Sequence, residues 1–424
     1  MPTELELLQV GKLVVSSMSL AASSTIAIMI VKRYRQFNAI SDSYHSSFTT
    51  YSSPYSRIIF ALSIADSSQS IAILTGTFLS PQNTPGAIWA IGNTVSCNAN
   101  GFALIMGGIP IPMYTFVLTL YALLRVKFRM CRESFSEKLE WKLHSFIFMW
   151  TFCFAIFAIF TKKVNPLENG YVCTLREYPL NCEKDPETYG ECERGQNAVL
   201  YLTIFYYIPL LLCFIGMVIC LSSLSWYVFI TERMMQQQDG GFSARKFCGY
   251  VCCNKSHLHQ RESSPNLYEF SLESLKQSSL YVLAFLATHI LNVATVLMLV
   301  LGGTPPKWFL TPRLFLYPLG GVFNILVYSR PKVNVLQKRA PELSWRHALY
   351  HVIMAGGDVP DEIEMNSPSI SAGESDENQR VLAAAAAAAP LPARQVMEEN
   401  KKFVYSVPSD VNDPRFISVI GSSL

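Results

Sequence analysis

Apolar and polar positions in this chain fall into long blocks. Seven apolar windows, near residues 13–31, 58–79, 101–124, 143–161, 197–230, 278–301 and 309–329, are almost free of Asp, Glu, Lys and Arg. A hydrocarbon core of ~30 Å takes about 20 helical residues to cross. Backbone at that depth must pair its own N–H and C=O groups, so each window predicts a helix. The expected fold is all-α: an extracellular segment over 1–12, a seven-transmembrane helix bundle over 13–331, a short amphipathic helix within 332–353, and a disordered cytoplasmic tail over 354–424.

Charge in the connections orients the bundle. Lys and Arg number 4 in residues 32–57, 6 in 125–142, 6 in 231–276 and 5 in 330–346, against 1, 0, 5 and 1 in the opposite connections. Basic residues stay cytoplasmic, which puts the N-terminus outside, the C-terminus inside, and the chain in the cell membrane. The first window is read as a retained span. Glu4, Glu6 and a single Lys12 precede it where a cleaved leader would carry a basic cluster, and no A-x-A site follows.

The composition narrows the class further. A chain of 424 residues, 50% hydrophobic and 15% charged, is neither a solvated tail nor a disulfide-stapled miniprotein. Net charge is only +3 and the basic residues sit between apolar windows, so nucleic acid is not an expected partner. Cys97, Cys173, Cys182 and Cys192 all fall in connections assigned to the outside, where disulfides form, and three pairings can be drawn. Cys97 joined to one of the other three would tie the third span to the 162–196 loop; free thiols are the alternative. Cys131, Cys248, Cys252 and Cys253 are assigned to the inside. Cys252 and Cys253 could be acylated, and Cys248, Cys252, Cys253, His257 and His259 are spaced poorly for zinc.

The 231–276 connection is polar, with Gly240, Gly241 and Pro265 as breakers, and reads as a flexible loop. Pro331 is expected to end the last span. Seven acidic residues between Asp358 and Glu377 surround Ser367, Ser369, Ser371 and Ser375, the pattern of a phosphorylated disordered segment. Alanines 383–389 would make a marginal helix stopped by Pro390. Ser422 and Leu424, at the chain end, fit capture by a C-terminal strand-binding domain.

Inside the seven windows the charged residues are Asp66 and Arg313, with His144 and His289 as titratable extras. No window contains a lysine, so a light-driven pump with a Schiff base is not expected. Three or so ligands for a catalytic metal are also lacking, so the chain is not read as an enzyme and no cofactor is assigned. A small-solute transporter and a receptor remain. The windows show no internal repeat, as a transporter would favour, and the prolines Pro110, Pro112 and Pro209 suit a bundle with two packings.

Several segments then carry a resemblance. Leu62-Ser63-Ile64-Ala65-Asp66, Trp89-Ala90-Ile91-Gly92-Asn93 followed by Cys97, the lone Trp150, Phe205-Tyr206-Tyr207-Ile208-Pro209-Leu210 and Asn324-Ile325-Leu326-Val327-Tyr328 occur in this order across residues 13–331. The set resembles the G-protein-coupled receptors, in a divergent rhodopsin-like or cyclic-AMP-receptor-like branch. The chain departs from the rhodopsin-like pattern at three points. No acidic-Arg pair stands near Tyr121-Ala122-Leu123, Ile325 replaces a proline, and the sixth span lacks Cys-Trp-x-Pro. Leu104 stands near the position where amine receptors carry an Asp, which disfavours a cationic amine.

The resemblance implies a cell-surface receptor that couples an unknown extracellular ligand to a heterotrimeric G protein. Asp66 would pair with Asn324 in a pocket able to hold sodium, with Tyr328 as part of the same switch. The alternatives are a protonated Asp66 bonded to Ser63 or Ser67 and Tyr328 as an interfacial anchor. Arg125, Lys127, Arg129 and Arg132 form a basic cluster that would dock the G protein or touch anionic membrane lipid. Phe102, Met106, Tyr201 and Phe205, with His289, offer an apolar or aromatic ligand pocket, and each equally suits plain packing.

Overall fold

The computed structural model describes residues 4–41, 53–167, 170–179, 182–183, 186–238, 264–300 and 306–354. The Cys248 to His259 group, the acidic serine segment, alanines 383–389 and Ser422–Leu424 lie outside the described residues. The chain divides into two units, 1–359 and 360–424, and everything described belongs to the first.

Helices account for nearly all of it. Those of ten residues or more are, in chain order, α1 (Glu4–Ser41), α2 (Pro54–Leu79), α3 (Thr94–Gly108), α4 (Pro110–Val126), α5 (Trp141–Phe160), α6 (Ile208–Gln238), α7 (Ser264–Val300), α8 (Lys307–Leu316), α9 (Gly320–Arg339) and α10 (Trp345–Met354). Among the described residues six segments are long and apolar enough to cross a membrane: Glu4–Arg35, Pro54–Leu79, Thr94–Val126, Arg132–Phe160, Ala198–Thr231 and Ser271–Thr295. The seventh window is not one rod. It is α8, a 3-10 turn Tyr317–Leu319 and α9, and it packs against α1, α2 and α7.

The distribution of apolar surface identifies the solvent. The Ala198–Thr231 segment has the highest mean hydropathy of the six, 2.5, yet only 17% of that stretch is buried. Leu212, Ile219 and Trp226 are each more than half exposed, which water would penalise and lipid favours. The interior holds small polar residues instead. Ser23, Ser63, Thr115, Thr119 and Thr151 are buried, and each donates its hydroxyl to the carbonyl four residues back. None of these five hydroxyls is orphaned, and the helices that carry them can approach closely. At Gly107 a Cβ would strike the α2 backbone at Gln69 and Ala65, so only glycine permits the α3–α2 contact there.

Local chemistry sets the ends and the kinks. Ser53 caps α2 with Pro54 in its first turn, and Asn93 with Ser96 makes a capping box for α3. Pro110 and Pro112 open the α4 rod after Ile109, separating it from α3. Pro209 cannot donate to the carbonyl of Phe205; a π-helical turn Thr203–Tyr207 precedes it, and the Trp150 indole donates to that carbonyl at 3.4 Å. Trp150 thus completes a backbone group that a proline left open.

Four expectations are corrected by this architecture. Helix α1 begins at Glu4, so Lys12 lies inside the first span, where it is 1% exposed; the absence of lysine no longer counts against any bundle chemistry. Pro331 does not end the last helix, which continues to Arg339. The carbonyl that Pro331 frees is that of Val327, and Gln277 Nε2 donates to it at 2.8 Å, which lets the helix run on. The amphipathic region 332–353 is accordingly split between the end of α9 and the short helix α10. The 231–276 loop is helical at both ends, through Gln238 and again from Ser264, because α6 and α7 extend past their apolar windows.

Candidate functional site

At mid-bundle Asp66 of α2 is 3% exposed, and its Oδ2 accepts from Asn324 Nδ2 of α9 at 2.6 Å. This single contact ties the second rod to the last one, 258 residues away in sequence. The hydroxyls of Ser63 and Ser67 turn instead to the carbonyls of Ile59 and Ser63. A buried carboxylate in a membrane needs such a partner, because an ionisable group at this depth costs at least ~2.5 kcal/mol. Among the described residues no three His, Cys, Asp or Glu side chains gather around a metal. Asp66 would be the only charged ligand for sodium, and no step is assigned to that ion.

One end of the bundle is tied by side chains that sequence patterns did not single out. Tyr55 of α2 and Tyr281 of α7 meet hydroxyl to hydroxyl at 3.2 Å, and Gln277 Nε2 lies 3.2 Å from Tyr55 while also holding the Val327 carbonyl. These contacts join α2, α7 and α9. Arg57 grips Glu140 with two hydrogen bonds of 2.6 Å and Ser136 with a third of 2.8 Å. Arg57 and Glu140 are ordinary connection charges in the sequence, and no spacing rule pairs residues 83 apart. A double-mutant cycle on Arg57→Met and Glu140→Leu should return a coupling on the order of 2 kcal/mol, since a two-pronged guanidinium–carboxylate pair is lost with either partner. Because Arg57 is about one-third exposed, solvent screening keeps the coupling below the fully buried range. A cycle energy near zero in thermal melts would remove the pair from the account.

Tyr328 is buried at this same end, with Lys332 Nζ 3.4 Å from its hydroxyl. The basic cluster lies beyond α4. Lys127, Arg129 and Arg132 are exposed, whereas Arg125 is half-buried and donates to the Met130 carbonyl at 3.2 Å.

The opposite end is roofed. Strands β1 (Val164–Pro166) and β2 (Cys173–Leu175) form an antiparallel hairpin, with Val164 opposite Leu175. Cys97 of α3 is bonded to Cys173 and Cys182 to Cys192. Asn100, one turn after Cys97, donates to the Ala72 carbonyl at 2.7 Å and accepts from the Cys173 amide at 3.0 Å, so it holds α2, α3 and the hairpin together. Lys12 adds a further tie, donating to Thr77 Oγ1 at 2.5 Å and to the Tyr171 carbonyl at 2.8 Å. A lysine just ahead of an apolar window gives no sequence signal of burial.

The five candidate pocket residues divide between two places. Phe205 stacks on Phe154 at 4.7 Å, Tyr201 packs on Phe157 at 5.2 Å and Phe102 stands edge-on to Phe152 at 6.3 Å, all against α5. Met106 packs on the main core. His289 lies elsewhere, 2% exposed, stacked on Phe285 and edge-on to Tyr317.

No known family profile matches the chain, and no curated protein does. Among solved structures, the crystal structure of squid rhodopsin is similar at 14% identity with a TM-score of 0.44, over 86% of this chain and 92% of that one. The class itself follows from the chain's own geometry: a multi-pass, all-α membrane protein with a disulfide-anchored roof at one end and a buried carboxyl–amide hydrogen bond bridging its second and last rods.

Proposed function

We propose that the chain is a cell-surface receptor with its N-terminus outside, passing ligand binding under the roofed end to a heterotrimeric G protein at the other. The observation that carries this reading is the Asp66–Asn324 contact at mid-bundle. It lies between the hairpin-roofed end and a set of breakable contacts among Tyr55, Gln277 and Tyr281. Two helix packings that differ in those contacts would exchange when a ligand favours one of them. The exposed Lys127, Arg129 and Arg132 would meet the G protein. The resemblance noted in the sequence supports the same assignment, and an enzymatic activity forms no part of it.

Expression in cells carrying a panel of G-protein biosensors tests the reading, with basal or ligand-evoked activation expected. Flux of a small solute in reconstituted vesicles without such activation would replace the receptor by a transporter. Gln277→Leu gives a sharper outcome. It leaves the Val327 carbonyl open, at a cost of about 1–3 kcal/mol, and releases α7 from α2 and α9. Raised basal activation and a lower melting temperature are expected together; a variant with wild-type basal activity would deny Gln277 a latch role.

A further inference from the structure

Between mid-bundle and the roofed end, side chains from four elements meet: Arg313 of α8, Tyr317 of the following turn, His289 and Asn292 of α7, and Gln69 of α2. Arg313 Nε donates to Asn292 Oδ1. Gln69 Nε2 reaches the Tyr317 carbonyl at 3.5 Å, and the His289 ring stands 5.5 Å from the Tyr317 ring.

The cluster is incomplete in a specific way. Gln69, His289 and Asn292 are 3%, 2% and 4% exposed, yet Gln69 Oε1, His289 Nε2 and Asn292 Nδ2 have no hydrogen-bond partner. Buried polar groups are almost always satisfied, so three open atoms in one cluster point to a missing guest. Their chemistry describes it. Asn292 Nδ2 is a donor and Gln69 Oε1 an acceptor. His289 Nδ1 lies 3.2 Å from the Phe285 carbonyl and 2.7 Å from the Thr288 hydroxyl, which itself donates to the carbonyls of Ala284 and Phe285, so the proton is assigned to Nδ1 and Nε2 is left as an acceptor. The guanidinium sets the charge. Among the described residues no carboxylate forms an ion pair with Arg313, and Asp66 is engaged by Asn324. A cation held inside a membrane bundle without an acid marks a site, and guanidinium binds oxyanions through paired hydrogen bonds.

We propose that this cluster binds a small solute carrying an oxyanion, carboxylate or phosphate, at one end and a hydroxyl or ammonium donor at the other. Arg313 and Asn292 Nδ2 take the oxyanion; His289 Nε2 and Gln69 Oε1 accept from the donor. As the ligand class of the receptor proposed above it rests on that reading, while binding itself does not.

The test uses the purified full chain in detergent, without a G protein, so that failure to bind and failure to signal are separate results. Thermal melts are run against lactate, glutamate, succinate and glycerol phosphate, each matched in ionic strength with sodium chloride. At least one probe bearing both groups should raise the melting temperature saturably, and the carboxylate and phosphate arms separate the two oxyanions. Arg313→Gln should weaken the half-saturating concentration by at least about tenfold, or 1.4 kcal/mol, while Arg313→Lys keeps part of it. No saturable rise with any probe overturns the proposal, as does an unchanged midpoint in a folded Arg313→Gln. If Arg313→Gln does not yield monodisperse protein, Gln69→Leu and Arg313→Lys decide, and wild-type midpoints in both overturn it.

Discussion

Cys97→Ser should remove most of the protein from the cell surface, whereas Cys182→Ser should leave the greater part of it there. The two bonds close loops of very different length, their partners lying 76 and 10 positions apart in sequence. By chain entropy they stabilise the fold by about 4.5 and about 2.7 kcal/mol. Those figures are ceilings here, because helices already inserted in lipid are not a free coil. The ordering does not depend on that reduction, since Cys97–Cys173 also carries the contacts that converge on the hairpin. Asn100 accepts from the Cys173 amide, and Lys12 holds the Tyr171 carbonyl two residues earlier. Cys173→Ser should match Cys97→Ser, and the double variant should be no worse than either single one. Surface labelling in intact cells and melting temperatures of the purified variants check this. A larger loss from Cys182→Ser than from Cys97→Ser would show that the second bond, not the first, anchors the roof.

The other large effect is expected at mid-bundle. Asp66→Asn keeps the size of the side chain and a hydrogen bond to Asn324 but exchanges a charged acceptor for a neutral one. Hydrogen bonds to charged groups contribute about 1.5–3 kcal/mol against about 1 for neutral ones. A difference near 1.4 kcal/mol corresponds to roughly a tenfold change in the equilibrium between packings. Evoked G-protein activation should therefore fall about tenfold while surface display is retained. Asp66→Leu should do worse, because it also strands the Asn324 amide. The exchange variant, Asp66→Asn with Asn324→Asp, restores a carboxylate–amide pair between α2 and α9 and should recover part of the response. Biosensor dose–response curves normalised to surface label give the answer. Equal responses from wild type and Asp66→Leu would dismiss the pair as a signalling element.

These two sites also mark how far the sequence can be read. The placement of six spans follows from the apolar windows, because lipid enforces one solution on a backbone, whereas the breaks within the third and seventh windows do not. Asp66 stands out in the sequence for the same reason, as the lone carboxylate in a window. Its partner came from the resemblance of Asn324 to Tyr328 rather than from any pattern of spacing, since contacts 258 residues apart leave no local trace. The helix ends were less legible. Hydropathy stops where the lipid does, but α1, α6 and α7 continue into the polar region, and so Lys12 was placed ahead of the first span rather than within it. Pro331 reads as a helix stop only until Gln277, 50 residues upstream, is seen to fill the bond it removes. Arg57, Glu140, Tyr55 and Tyr281 are unremarkable in sequence because their function lies in tertiary contact. In sequence Phe102, Tyr201 and Phe205 read as pocket aromatics, yet they pack on α5, which composition cannot distinguish from lining a cavity.

The central claim is that the broken last segment, α8 to α9, crosses the membrane as a seventh span, leaving the chain ends on opposite sides. Six segments meet the length and hydropathy needed for a crossing on their own, and this one does not. The direct measurement is epitope accessibility, with one tag before Glu4 and another after Leu424, read in intact and then in permeabilised cells. The account predicts that the first tag is labelled on intact cells and the second only after permeabilisation. Both tags labelled on the same side would mean an even number of crossings and would contradict it.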